Sequence, residues 1–560
     1  MKLLHKYRFI IYSLIISILV LYPYLSSTLN YEHDTFFHLS RIEGYANAIS
    51  RLDFFPSIYP LKNANYGYLS PTFYCDIFLI IPAILYNLNV NIIDCYKILL
   101  FIFSLISCLT ITKLIKKFSN NDYSVYIGIA LYIFATYRLT NIYVRGAIGE
   151  VIAYAFIPIV IIGIYELLYE NKYKNLVIGY SLVLLSHNIT FILLCIILLI
   201  FLIINYKLII KNNSIILNLI KASTLSILIV AFFMFPMLEQ LSVQDLILET
   251  RDNTDLMRES TSHIYQFLLN KLNFYISEQS FIGMVGNVGI LTMLLPLSYL
   301  LISNTKLENK FIKHSMIIGY ILVIIQSSLM PWEHMSILNF LQFVYRLNNV
   351  CIVLLVLPAS IYLVNNIFSK KYKHIIIISI IILNGLYLIK DVPNRTNVIT
   401  NKHTYNDLIE GKIIDPYYSA YYIRVELAGA DYLPKEYFNY KDEKYGIYIK
   451  DTNTYSSLPE INYHDMTFKL DNINDVTVRL PKTYYKGYKL YGINNGIETE
   501  IEINKSSDSL IEFNVKNHYD SYRLTYSNTL IKTISCFISI ITMVILIIYI
   551  NKNRININKS

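Results

Sequence analysis

Just after a first apolar run, the sequence gathers Glu32, His33, Asp34, His38, Arg41 and Glu43 within a dozen positions. If residues 35–50 form a helix lying on the membrane surface, Asp34, His38, Arg41 and Tyr45 fall at helical spacings and share one face. A carboxylate placed there can act as a general base. A guanidinium grips phosphate oxygens in a bidentate way, so His38 and Arg41 suit an anionic ligand. The solvated polar face of an interfacial helix accounts for the same spacing.

Further ionisable residues stand where apolar runs begin, and such residues at membrane depth mark a function or an internal pair. Arg145 and Glu150 open one run; they either serve a ligand or pair with each other across five positions. His187, beside Asn188, sits in apolar sequence, either as part of a site or as a satisfied core histidine. Arg346, at the end of Leu341-Gln342-Phe343-Val344-Tyr345-Arg346, precedes an apolar run as a phosphate-binding residue or an interfacial anchor would. The chain carries no Walker A motif, no GxGxxG at a strand-to-helix turn and no HExxH, which argues against nucleotide-driven transport. With no cytoplasmic domain to hold a nucleotide sugar, an activated donor is expected to arrive through the membrane, and a lipid-linked sugar phosphate fits.

The elements that must position these residues are membrane helices. A content of 55% hydrophobic and 16% charged residues exceeds what a soluble chain buries. A bilayer span takes roughly 20 apolar residues, and apolar runs recur at 9–25 and 530–550 and centre between them on 98–115, 125–136, 151–168, 191–204, 215–235, 288–302, 316–329, 350–367 and 375–389. The net charge of +9 comes from short basic clusters beside these runs, which report orientation and not nucleic-acid binding. Lys2, Lys6 and Arg8 put the N-terminus inside; Lys113, Lys116 and Lys117 mark an inner loop, as do clusters near 172, 207, 306 and 370, and Lys559 lies in an inner tail. Two stretches resist this threading. Residues 72–88 would cross once too often, and 176–206 is too long for one helix. Either the first dips while the second is two short helices with Ser186, His187 and Asn188 at the tip, or the first crosses and the second is one long helix.

Residues 391–528 read as an exported β-rich domain, because Ile497, Thr499, Ile501 and Ile503 alternate with Glu498, Glu500 and Glu502 after an Asn495-Gly496 turn. Ile511, Phe513 and Val515, and Val476, Val478 and Leu480, repeat the pattern, so residues 444–523 fit a small sandwich. The six cysteines show no CxxC spacing, and neither disulfides nor a metal centre is expected.

Taken together, the architecture resembles the membrane-embedded GT-C glycosyltransferases: a first crossing, an acidic outer loop, many further helices and an outer C-terminal domain. His33-Asp34-Thr35-Phe36-Phe37-His38-Leu39-Ser40-Arg41, Gly67-Tyr68-Leu69-Ser70-Pro71, Arg145-Gly146-Ala147, Ser186-His187-Asn188, the segment ending at Arg346, and Asp431-Tyr432-Leu433-Pro434 look like a bacterial membrane family termed 6-pyruvoyl-tetrahydropterin synthase-related. That label implies no pterin chemistry here, since the histidine triad of a soluble zinc enzyme is not supplied. The resemblance implies a polytopic α-helical membrane protein of about 12–13 transmembrane helices, with a β-rich extracytoplasmic domain before the last helix. Its divisions are 1–390, 391–528 and 529–560. A multi-pass protein of the cell membrane is expected, with both termini cytoplasmic by the basic clusters, no cofactor indicated and a divalent metal requirement open. The implied reaction moves a sugar from a polyprenyl-phosphate donor, such as undecaprenyl phosphate, to a cell-envelope glycan, lipid or protein. The resemblance carries over to Asp34 alone, as the catalytic base; His38, Arg41, Arg145, Glu150, His187 and Arg346 are expected from their own chemistry to form the substrate site. A flippase for a lipid-linked precursor, or a non-catalytic envelope assembly protein, would use the same charged residues without making a bond.

Overall fold

The hydrophobic runs become helices because a chain without water at hand must satisfy its backbone within each segment. The computed structural model describes residues 2–557 apart from 31–32, 244, 251–252, 264–266, 268–286, 303–308, 367–369, 392–397, 411, 413–423, 428, 438–443, 457 and 471–474. Glu32, Lys306 and Lys559 lie outside the described residues. The chain is mostly helical, with a β-rich region before its last helix. Among the described residues, five helices are long and apolar enough to cross a membrane: Ile92–Phe118, Ile148–Tyr169, Ser214–Leu241, Val344–Ile361 and Leu530–Ile548. The pair Asp122–Ile133 and Thr136–Tyr143, bent by 43°, makes a sixth if counted as one span. On the last helix Ile534, Phe537 and Ile541 stand outward, an arrangement compatible with membrane insertion.

The chain forms two compact units that interleave in sequence, instead of dividing at one cut. The first comprises Met1–Leu39, Ile84–Ile227 and Asp252–Ile413. At its centre Ile148–Tyr169 packs against Ile92–Phe118 and Lys174–Leu184. Small residues permit that approach: a Cβ on Gly163 would meet the Leu176 backbone nitrogen at 2.5 Å, and one on Gly179 would meet Val160 Cγ2 at 2.7 Å. Ile92–Phe118 begins under an Asn91 cap, whose side chain accepts from Ile93 N at 3.0 Å, and ends on Lys116 and Lys117, which complement the helix dipole.

Both stretches that resist threading are broken. Residues 176–206 lie in two helices, Lys174–Leu184 and Asn188–Ile204, with His187 capping the second by accepting from Thr190 N at 3.2 Å. The apolar helix Ile77–Asn87 spans only about 16 Å at 1.5 Å per residue, roughly half the hydrocarbon core.

The second unit comprises Ser40–Ala83, Leu228–Arg251 and Ile414–Ser560. Its β region is two five-stranded antiparallel sheets. One runs in the order 504–505, 510–515, 476–483, 448–449, 454–455; the other 460–462, 465–468, 521–526, 488–494, 497–501. Val478, Leu480, Ile511 and Phe513 from the first sheet share one core with Phe468, Leu490, Tyr522 and Leu524 from the second, as in a sandwich. The expected hairpin is present, with Asn495 and Gly496 at φ +50° and +80°. Its Ile497–Ile501 strand is the outer strand of its sheet, so Ile497 remains exposed despite the alternation.

Candidate functional site

The first unit concentrates its buried charge on Glu150. Thr136–Tyr143 ends in a turn where Arg145 N and Ala147 N donate to Thr140 O and Asn141 O, and Gly146 takes φ +62°, a left-handed position glycine tolerates. The following helix, Ile148–Tyr169, carries Glu150 in its first turn, where the dipole favours a carboxylate. Arg346 comes from the short 3-10 turn Val344–Leu347, and Asn349 from the first turn of Asn348–Asn366.

Five donors converge on the carboxylate, which is 1% exposed. Its Oε1 accepts from Arg145 Nη1 at 2.6 Å and from Arg346 Nε at 3.1 Å. Its Oε2 accepts from Tyr137 Oη at 2.7 Å, Asn349 Nδ2 at 2.7 Å and Asn141 Nδ2 at 3.2 Å. Arg145 and Glu150 therefore do pair across five positions, and Arg346 joins them. Two guanidiniums around one carboxylate leave the node with surplus positive charge.

The arginines keep donors in reserve. Among the described residues the side-chain hydrogen bonds of Arg145, to Tyr137, Asn141 and Glu150, use Nη1; Arg346 uses Nε and Nη1, the latter on Leu341 O at 2.9 Å and Gln342 Oε1 at 2.6 Å. Among the described residues Nη2 of each makes no hydrogen bond, and the buried Tyr345 hydroxyl and Asn348 amide are likewise unmatched. Phe343 and Tyr345 stack on each other beneath the Arg145 guanidinium, 5.9 Å and 5.3 Å from their ring centres. Burial works against the Arg145 charge, but Glu150 first, then Tyr137, Tyr345 and Asp34, hold it well above the ordinary arginine value.

Asp34 is tied to this node through the backbone, its N–H donating to Arg145 O at 2.9 Å. Its carboxylate, half-buried, acts electrostatically on both Arg145 and Tyr345. His38 follows one turn later, its N–H donating to Asp34 O at 3.1 Å in the first bond of helix Thr35–Ile49, and its ring is buried beside Phe37. This helix lies within the protein and not along a surface, since Phe36, Leu39, Ile42 and Ala46 are buried together with His38 and Arg41. His187 feels the fields of Glu150, Arg346 and Arg145; burial is the main cause that lowers its imidazole to about 3, so it is neutral at physiological pH.

Arg41 belongs to the second unit, and its chemistry differs. Its Nε donates to Asp76 Oδ1 at 2.7 Å and its Nη2 pairs with the same oxygen. Nη2 also reaches Cys75 O at 3.2 Å and Tyr74 O at 3.3 Å, with the Tyr74 ring 4.1 Å from the guanidinium. Tyr59 donates to the other Asp76 oxygen. Glu43, also in this unit, accepts from Lys62 at 2.5 Å.

Tyr137, Asn141, Gln342, Tyr345 and Asn349 escape a reading that follows ionisable residues alone. A signal exists: Tyr137, Asn141 and Arg145 repeat every four residues, and Gln342 precedes Arg346 by four, each a polar column in apolar sequence. Comparison with family models, with curated proteins and with solved structures finds no match for this chain.

Proposed function

We propose that the chain is a GT-C-type membrane glycosyltransferase that moves a sugar from a polyprenyl-phosphate donor to a cell-envelope acceptor. The observation that supports this most is the node itself: two buried guanidiniums, fixed by Glu150 but with Nη2 donors unmatched among the described residues, within the field of the Asp34 carboxylate. Fixed cations aimed at a site where negative charge develops stabilise a transition state without reorganising. The lipid phosphate is such a group. Asp34 takes the proton of an acceptor hydroxyl as that oxygen attacks the anomeric carbon. The bond from that carbon to the phosphate oxygen breaks, its electron pair leaves with the lipid phosphate, and Arg145 and Arg346 receive the charge. Glu150 is a positioning residue on this reading, since its oxygens are taken up by protein donors. His38 and His187 line the donor side, and Arg41 supports the fold through Asp76.

The basic clusters then face the cytoplasm, both termini are inside, and the sandwich and Asp34 face outward in the cell membrane. The short apolar helices act with the long ones to give about 12–13 crossings.

The test supplies purified protein with undecaprenyl-phosphate sugars and candidate envelope acceptors. Wild type is expected to transfer sugar, and Asp34→Asn to lose about 10²–10⁴-fold in rate, the usual contribution of a general base. Undiminished transfer by Asp34→Asn would remove the base assignment. Movement of lipid-linked sugar across proteoliposomes with no acceptor consumed would replace transfer by transport.

A further inference from the structure

Charge alone does not account for the node on Glu150, because neutral groups beside it are also buried without partners. Tyr345, Asn348 and Asn349 are 2%, 0% and 1% exposed. Among the described residues the Tyr345 hydroxyl, both polar atoms of the Asn348 carboxamide and Asn349 Oδ1 meet no hydrogen-bond partner. Buried polar atoms are matched in the great majority of cases, so four such atoms within residues 345–349 call for an explanation.

Two of these groups are held beside the arginines. Asn349 Nδ2 donates to Glu150 Oε2 at 2.7 Å; a carboxylate only accepts, so the other end of this carboxamide is the acceptor Oδ1. The Tyr345 ring centre lies 5.3 Å from the Arg145 guanidinium, and the ring stacks on Phe343. Asn348 stands in the chain between Arg346 and Asn349, both bonded to Glu150, and opens the helix Asn348–Asn366.

The neutral groups differ from the arginines in kind. The Nη2 groups of Arg145 and Arg346 are donors and suit phosphate oxygens. Asn349 Oδ1 is an acceptor, to which an ionised phosphate oxygen has no proton to give; a hydroxyl or an amide N–H satisfies it. The Asn348 carboxamide offers both donors and an acceptor, and the Tyr345 hydroxyl can act either way. A ligand that matches both sets carries an anion and, within reach of it, neutral groups that donate and accept. A hydroxylated ring esterified to a phosphate has that pattern.

We infer that Tyr345, Asn348 and Asn349 read the hydroxyl groups of the donor sugar while the arginines hold its phosphate, and that these three residues set which sugar is accepted. The inference rests on the transferase reading of the node and adds the seat of the sugar to it. Polar groups placed to meet a hydroxyl discriminate against an analogue that lacks it, because they are then left unpaired.

The test measures binding to the full-length protein in a neutral maltoside detergent. The probes are the farnesyl-phosphate diesters of glucose, galactose, mannose and N-acetylglucosamine, compared with farnesyl methyl phosphate, a diester of the same charge without hydroxyls. Wild type is expected to bind at least one sugar diester about tenfold or more tightly than the methyl diester. Tyr345→Phe and Asn348→Leu are each expected to lose about threefold to tenfold of that preference, the worth of one hydrogen bond, while binding the methyl diester as wild type does. Neither substitution is expected to lower the melting temperature, since the atoms removed are unmatched in the free protein. An unchanged preference in either variant, as when these groups hold an ordered water only, would overturn the inference alone. So would a wild type without preference for any of the four sugars, or a lowered melting temperature with both kinds of diester weakened alike. A wild type that binds neither kind of diester would remove the phosphate seat, and with it both the transferase reading and this inference.

Discussion

Two buried guanidinium–carboxylate clusters, one in each unit, show how the same chemistry can be closed or open. In the second unit Arg41 meets Asp76 through Nε and Nη2 and adds two backbone carbonyls, while Tyr59 completes the carboxylate. Nothing in that arrangement invites a ligand. In the first unit two arginines share Glu150, the carboxylate is saturated by five donors, and Nη2 of each arginine is unmatched among the described residues. A closed pair holds a fold together, whereas an over-supplied carboxylate holds cations in place for something else.

The largest test of this contrast removes the carboxylates. Glu150→Ala strands two buried guanidiniums, and Asp76→Ala strands one; a buried pair broken from one side costs about 3–5 kcal/mol. Thermal unfolding in detergent is expected to show both variants strongly destabilised. Added inorganic phosphate is expected to restore part of the loss in Glu150→Ala alone, by binding its open arginines.

Another buried cation sharpens the comparison because among the described residues it pairs with no carboxylate. Lys482, in strand Val476–Thr483, is 2% exposed and donates to Pro60 O at 2.9 Å. Burial lowers its ammonium from the ordinary 10.5 to about 7. Below pH 7 the folded and unfolded chains both hold the proton, and the penalty of the buried charge is full. Between pH 7 and 10.5 only the unfolded chain keeps it, so stability rises with pH, on the order of 5 kcal/mol in all. Lys482→Met is expected to abolish this slope when unfolding of the sandwich is followed by near-ultraviolet circular dichroism, and to raise stability at pH 7.

Next in size come the conservative arginine changes, which separate function from folding. Arg145→Lys keeps the charge but loses the planar fork, and sugar transfer is expected to fall about 10²-fold at nearly unchanged melting temperature. Arg41→Lys, which loses its two-pronged grip on Asp76, is expected to do the reverse: lower the melting temperature and leave transfer by the folded fraction unchanged. The smallest effect concerns the frame that carries Glu150. Gly163→Ala places a methyl 2.5 Å from the Leu176 backbone, and overpacking of this kind costs about 1–3 kcal/mol.

What was legible in the sequence follows from how local each signal is. The Asn495-Gly496 hairpin is written in contiguous residues and appears as read, while of the apolar runs five form helices long and apolar enough to cross a membrane among the described residues, or six with the bent pair. The break at residues 185–187 is one of the two readings the sequence leaves open, and the structure has it, with His187 capping the next helix. The convergence of Glu150 and Arg346, 196 positions apart, was not, since nothing local records which polar residue a helix end will meet. Arg138 shows the same blindness: fully buried, its Nη1 and Nη2 donate to Ile133 O and to the Ser104 hydroxyl, a partner 34 residues away, while its Nε is unmatched among the described residues. Tertiary burial also overrode the amphipathic reading of residues 35–49, whose polar face is enclosed instead of solvated.

The central claim is that Asp34 moves a proton while Arg145 and Arg346 hold a phosphate, and single-turnover transfer from prebound undecaprenyl-phosphate sugar tests it most directly. Asp34→Asn is expected to bind the donor as tightly as wild type yet transfer about 10²–10⁴-fold more slowly. Wild-type transfer rates in that variant, or a loss confined to donor affinity, would contradict the account.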